Sequence, residues 1–150
     1  MEYIEGEELY EQMRQGRKDE DETRTIFRQI VAAVHYLHTN NICHRDIKAE
    51  NIIIDNEGNA HLIDFGFSRI VEKMEKLTTF CGSLFYCPPE LLQEKPYNGD
   101  SVDIWSLGVL LFVMMNAYMP FRGNTIEEIL KEISENAKTQ GQYTTQGNYD

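Results

Sequence analysis

The sequence predicts a mainly α-helical fold of the α+β kind, with one small β-hairpin and one long loop. Three observations carry this. Apolar residues recur at three- and four-residue spacing over 20–39 and again over 125–137, the stripe of a half-buried helix. Between them, the stretch from Ile104 to Met115 is apolar on all sides, which at this length marks a helix at the centre of a soluble core. Two short runs, Ile52-Ile53-Ile54 and Ala60-His61-Leu62-Ile63, flank the turn residues Asp55 to Asn59, the pattern of a hairpin.

In chain order, Glu7 to Gln15 reads as a short helix that breaks at Gly16. The helix over 20–39 opens on Asp19-Glu20-Asp21-Glu22, where carboxylates suit the positive end of the dipole. Its apolar face carries Ile26, Phe27, Ile30, Val34, Leu37 and His38, and Asn40-Asn41 ends it. After the hairpin, residues 67–89 show no period and hold threonines, cysteines and Pro88-Pro89. They read as a long loop, which in a compact domain is usually functional or disordered. A short helix follows over 89–94, then the central helix over 103–116. The last helix is capped by Thr125 or Asn124. Residues 139–150 are polar and aperiodic and read as a disordered tail, leaving one domain over 1–138.

Composition narrows the function classes. The chain has 150 residues, 41% hydrophobic and 26% charged, an ordinary globular balance. Its net charge of -11 excludes nonspecific binding to nucleic acid or an anionic membrane, which needs a basic footprint. A basic peptide partner suits it. Cys43, Cys81 and Cys87 form no C-x-x-C pair, so their spacing fits neither a disulfide framework nor a zinc site. Reduced thiols in a cytoplasmic, intracellular protein are the simplest account. The first twenty residues hold no apolar leader, and no apolar run is long enough to span a bilayer.

The segment His44-Arg45-Asp46-Ile47-Lys48-Ala49-Glu50-Asn51 matches the catalytic-loop pattern H-R-D-x-x-x-x-N of protein kinases. Thirteen residues after Asn51, beyond the hairpin, comes Asp64-Phe65-Gly66, the metal-binding D-F-G. Pro88-Pro89-Glu90 stands where kinases have A-P-E. Asp103-Ile104-Trp105-Ser106-Leu107-Gly108 resembles the start of their central buried helix, and Pro120-Phe121-Arg122-Gly123 the turn after it. Any one of these arises by chance, whereas the ordered set at this spacing is specific. The chain resembles the C-terminal lobe of a eukaryotic serine/threonine protein kinase. The wording of Lys48-Ala49-Glu50-Asn51, Asp64-Phe65-Gly66-Phe67-Ser68 and Thr79-Phe80-Cys81-Gly82-Ser83 is most similar to the calmodulin-dependent, AMP-activated and microtubule-affinity-regulating kinase group.

That resemblance implies ATP and magnesium as cofactors and protein serine or threonine as acceptor. Asp46 would orient the attacking hydroxyl and take its proton, and Lys48 would lie near the transferred phosphate. Asn51 and Asp64 would hold magnesium. Arg45 marks kinases controlled by activation-loop phosphorylation. It implies an upstream activating kinase acting on Thr79, with Thr78 the neighbouring alternative, and Ser83 would hydrogen-bond near Asp46. Met1 would fall at the gatekeeper position. Glu2 and Ile4 would offer backbone groups to adenine, with Ile53 beneath the ring. Glu8 and Glu50 would hold ribose or a basic substrate side chain, so substrates with basic residues near the acceptor are expected. The sequence has no Gly-rich loop, no V-A-I-K lysine and no helix glutamate to pair with it, the parts that clamp ATP. The arginine that pairs with the A-P-E glutamate is also missing. The chain alone is therefore expected to be inactive or nearly so. A binding or regulatory module is the other reading.

Overall fold

The structure, a computed structural model, describes residues 4–16 and 18–144. The chain forms two compact units, residues 1–120 and 121–150. In the first unit, strand β1 (Gly6–Glu8) runs directly into helix α1 (Leu9–Gln15). Helix α2 (Glu20–Thr39) has the bounds that its periodicity predicts. Asp19 caps it, its carboxylate accepting the Glu22 amide at 2.7 Å, which satisfies one of the orphan donors of the first turn. Ile26, Ile30 and Val34 on its apolar face are buried.

Strand β2 (Ile42–Cys43) follows, then a 3-10 turn (Ala49–Asn51), strands β3 (Ile52–Asp55) and β4 (Ala60–Leu62), and strand β5 (Arg69–Ile70). A second 3-10 turn (Leu84–Tyr86) leads to helix α3 (Pro89–Leu92) and the central helix α4 (Gly99–Asn116). The hairpin is present, β3 and β4 pairing antiparallel with Ile52 opposite Leu62. Its turn is built by Asp55 Oδ1, which accepts the amides of Glu57 and Asn59 at 2.9 and 2.8 Å.

Two features of the strands differ from the sequence expectation. β1 adds a third strand, with Gly6 opposite Asp55 and Glu8 opposite Ile53. Gly-Glu-Glu has little strand propensity. The close approach depends on Gly6, where a Cβ would lie 2.4 Å from the Ile54 carbonyl oxygen. The stretch 67–89 is also not wholly irregular, because β5 pairs with β2, Ile70 opposite Ile42. A two-residue strand is too short to leave a period in the sequence.

Helix α4 starts four residues before the expected Asp103, at Gly99. Val102, Leu107, Val109, Leu110, Val113 and Met114 are buried, each large side chain contributing about 1.5–3 kcal/mol, and α4 packs against α2. The helix closes on Ala117 in the left-handed region, φ 59°. Its amide bonds the Val113 carbonyl at 2.8 Å.

The second unit is built on helix α5 (Ile126–Thr144). Thr125 Oγ1 accepts the Glu128 amide at 3.2 Å, the expected cap, and Ile129 and Ile133 are buried. The helix runs through 139–144, which polar composition had assigned to a tail. No proline stands there to stop it. Residues 145–150 lie outside the described residues. No helix among the described residues is long and apolar enough to cross a membrane.

Candidate active site

The site is assembled on one carboxylate from α4. Asp103 is fully buried. Its Oδ2 accepts the His44 amide at 2.9 Å, and its Oδ1 accepts the Arg45 amide at 2.8 Å. His38, from α2, shares Oδ2 at 2.8 Å. This fork holds Arg45 at φ 65°, a left-handed conformation that costs a non-glycine residue about 1 kcal/mol or more and persists only where surroundings enforce it. His44 is also fully buried. Its Nδ1 accepts the Asp46 amide at 3.2 Å, so the proton belongs on Nε2, which donates to the Ile63 carbonyl at 3.0 Å. The ring meets Phe65 edge-on at 4.9 Å.

The result is an aspartate with its oxygens in use and its position fixed. Asp46 is 5% exposed. Ser83 donates to its Oδ1 at 2.9 Å, and Asn51 Nδ2 donates to its Oδ2 at 3.0 Å. Lys48 Nζ lies 3.2 Å from Oδ2 and donates to Ser83 Oγ at 2.8 Å. A buried carboxylate is tolerated only with such charge-assisted partners. Asn51 Nδ2 also donates to the Asp46 carbonyl at 2.8 Å, so its amide oxygen is turned to other use. The Asn51 carbonyl accepts the Ile63 amide at 2.9 Å, which brings Asp64 beside this loop. Asp64 is exposed, at φ 58°, with Oδ1 accepting the Gly66 amide at 3.1 Å.

Comparison with known proteins gives the family. The protein kinase domain model matches residues 1–149. The chain belongs to the protein kinase family. It is 46% identical over 138 residues to human NUAK family SNF1-like kinase 2, covering 91% of this chain and 22% of that protein. A probable serine/threonine-protein kinase KIN1 homolog of Enterocytozoon bieneusi (strain H348) is 47% identical over 133 residues, 88% of this chain and 22% of the relative. The probable serine/threonine-protein kinase MARK-B of Dictyostelium discoideum is 46% identical over 122 residues, 81% and 17%. The chain spans about a fifth of the length of these curated relatives.

In this protein kinase chain, the remaining predicted residues fall into two groups. Arg45 reaches the loop after D-F-G, its Nε donating to the Phe67 carbonyl at 2.7 Å. Its Nη1 donates to the Tyr97 hydroxyl at 3.2 Å, and that hydroxyl donates to the Thr79 carbonyl at 2.7 Å. Arg45 and Thr79 are thus joined through Tyr97, while the Thr79 residue itself is exposed. Tyr97 is 2% exposed, and burial raises its phenol pKa against the lowering effect of Arg45. No motif signalled Tyr97, because its partners are far away in sequence. Burial pushes the Cys87 thiol up to about 12, with Cys81 and Asp46 adding to the rise.

Glu8, Ile53, Ile4 and Glu50 form the second group. Glu8 is exposed on β1 opposite the half-buried Ile53, and Ile4 is half-buried just before that strand. Glu50 is half-buried, and its Oε2 is enclosed without a hydrogen-bond partner among the described residues. Burial, then the Glu50 carboxylate, raises the Tyr86 phenol. Glu2 lies outside the described residues.

Proposed function

We propose that this chain is the C-terminal lobe of a serine/threonine protein kinase, which transfers the γ-phosphoryl group of ATP to a serine or threonine hydroxyl of a protein. The observation that carries the reading is the Asp46 carboxylate, bridged by Ser83, Asn51 and Lys48 at 2.9–3.2 Å. Phosphoryl transfer asks the protein mainly for position and charge. Asp46 orients the substrate hydroxyl and takes its proton as the oxygen attacks phosphorus and ADP leaves. Lys48, already 3.2 Å from that carboxylate, offers a positive charge to the group in transit.

The Asn51 amide oxygen and the exposed Asp64 carboxylate are hard oxygen donors on adjoining segments, a set that fits magnesium. Magnesium on these residues would neutralise phosphate charge. Ile53 would lie beneath adenine, and Ile4, with Glu2 outside the described residues, would offer backbone groups to it. Glu8 holds ribose or a basic substrate side chain. The enclosed, unpartnered Glu50 oxygen favours a basic residue near the acceptor, because a buried anion gains most from a paired cation. Thr79 is the activation-loop acceptor, modified by an upstream kinase in an intracellular setting. Arg45 Nη2 makes no hydrogen bond among the described residues and is the arm that receives the phosphate.

The test is magnesium-dependent transfer of labelled phosphate from ATP to a pool of basic serine and threonine peptides. Asp46→Asn should lower the rate by about 10²–10⁴-fold, the contribution of a positioned base. Equal rates from the wild type and Asp46→Asn, or label on tyrosine alone, would overturn the proposal. A folded preparation that transfers nothing would instead favour the binding-module reading.

A further inference from the structure

Next to the catalytic loop, three groups able to ligate a metal converge. His38 Nε2 lies 2.8 Å from Asp103 Oδ2. The donor atoms of His38, Cys43 and Asp103 all lie within 4.8 Å of one another. A cavity of about 300 Å³ opens beside them, with His38 and Cys43 in its wall. The rest of that wall carries Glu72 and Asp100 against Lys73, with Glu75 already paired to Arg69 at 2.7 Å. Gly99 makes the room. A Cβ there would lie 2.6 Å from Cys43 Sγ.

We propose that His38, Cys43 and Asp103 form a binding site for a zinc-like divalent cation, separate from the magnesium of phosphoryl transfer. The three donors come from α2, β2 and α4, so their sequence spacing gives no sign of the site. The movement required is small. In a tetrahedral zinc site a nitrogen and an oxygen ligand stand about 3.4 Å apart, and a sulfur and a nitrogen about 3.5 Å. The His38–Asp103 pair therefore opens by roughly half an ångström, and Cys43 Sγ closes by about 1.3 Å at most.

The cation takes the place of the proton now shared by His38 and Asp103. The His38 proton moves to Nδ1, and the Cys43 thiol proton leaves to solvent. A thiolate beside an imidazole is a soft-to-borderline donor pair, so a cation with affinity for sulfur is needed to displace the thiol proton. That selects zinc or cobalt over magnesium. The fourth position faces the cavity and is left to water, the pattern of three protein ligands and one open place. Asp103 keeps its bonds to the His44 and Arg45 amides, since these use other lone pairs of the same carboxylate.

Cobalt(II) is the probe, titrated into the metal-stripped full chain. One equivalent should give tetrahedral visible bands and a thiolate-to-cobalt charge-transfer band, both bleached by zinc. Cys43→Val should abolish the charge-transfer band, whereas Cys81→Ser with Cys87→Ser should leave it intact. His38→Gln keeps a donor to Asp103, so it guards against a fold failure at Cys43. It should weaken binding by at least about tenfold, the loss that even an outer partner's removal brings. No charge-transfer band in a folded wild type would overturn the proposal. So would a band that survives Cys43→Val or disappears with the Cys81/Cys87 pair.

Discussion

Asp46, Lys48 and Asn51 were read through the kinase resemblance, and one motif carried all three because they lie within six residues of one another. A loop so short brings its own side chains together once its ends are fixed. Ser83 was readable only through the resemblance, since it arrives from 37 residues beyond Asp46. Tyr97 was not readable at all. Its hydroxyl joins Arg45 to the Thr79 carbonyl, and neither neighbour shares a pattern with it. Tyr97→Phe removes only that hydroxyl. It should cost about 1–2 kcal/mol of stability, since one of its bonds is to a charged group. The loss should be local. Hydrogen exchange over 77–81 should speed up, while the protection of α2 stays unchanged. Equal protection of 77–81 in both proteins would show that the bridge does not hold that segment.

The long helices were legible as elements because each repeats its pattern over several turns. α2 has the bounds its stripe predicts. β1, β2 and β5 were not, because each has only two or three residues and is specified by a partner from elsewhere. The β3–β4 turn was legible, and it also sets an acid response. Asp55 is held well below the ordinary carboxylate range, first by its hydrogen bond with His61 and then by the Asn59 amide. A group with a depressed pKa in the folded state stays ionised there at pH values where the unfolded chain has taken up a proton. Its contribution is therefore complete above the ordinary value of 3.8 and is lost as pH falls below it. Asp55→Asn should lower stability at pH 7. It should also flatten the decline of the unfolding midpoint between about pH 4 and pH 2. Parallel declines in the two proteins would remove Asp55 from the acid response.

At the scale of the first unit, the fold and the site share one member. Asp103 belongs to the central helix, yet its oxygens hold the His44 and Arg45 amides and the His38 ring of α2. The motif reading took Asp103 as a helix start and the helix as core, and the connection between them needed coordinates. Asp103→Asn turns one acceptor into a donor that faces either a backbone N–H or the His38 ring. It should cost about 1–3 kcal/mol, seen as a lower urea midpoint with unchanged slope. The Asp46 pairings should loosen with it, because Arg45 loses the support for its left-handed backbone. An unchanged midpoint would mean that the fork contributes nothing net.

Gly99 and Cys43 carry a consequence for how such a chain can vary over generations. A side chain at 99 would meet Cys43 Sγ at 2.6 Å, Cys43 Cβ at 2.9 Å and Leu77 Cδ1 at 3.2 Å. Position 99 therefore takes a side chain only if Cys43 gives way. A smaller side chain at 43 removes the Sγ contact but keeps a Cβ at 2.9 Å, so filling 99 also asks the backbone at 43 to shift. The two positions are free to drift only as a pair, although 56 residues separate them.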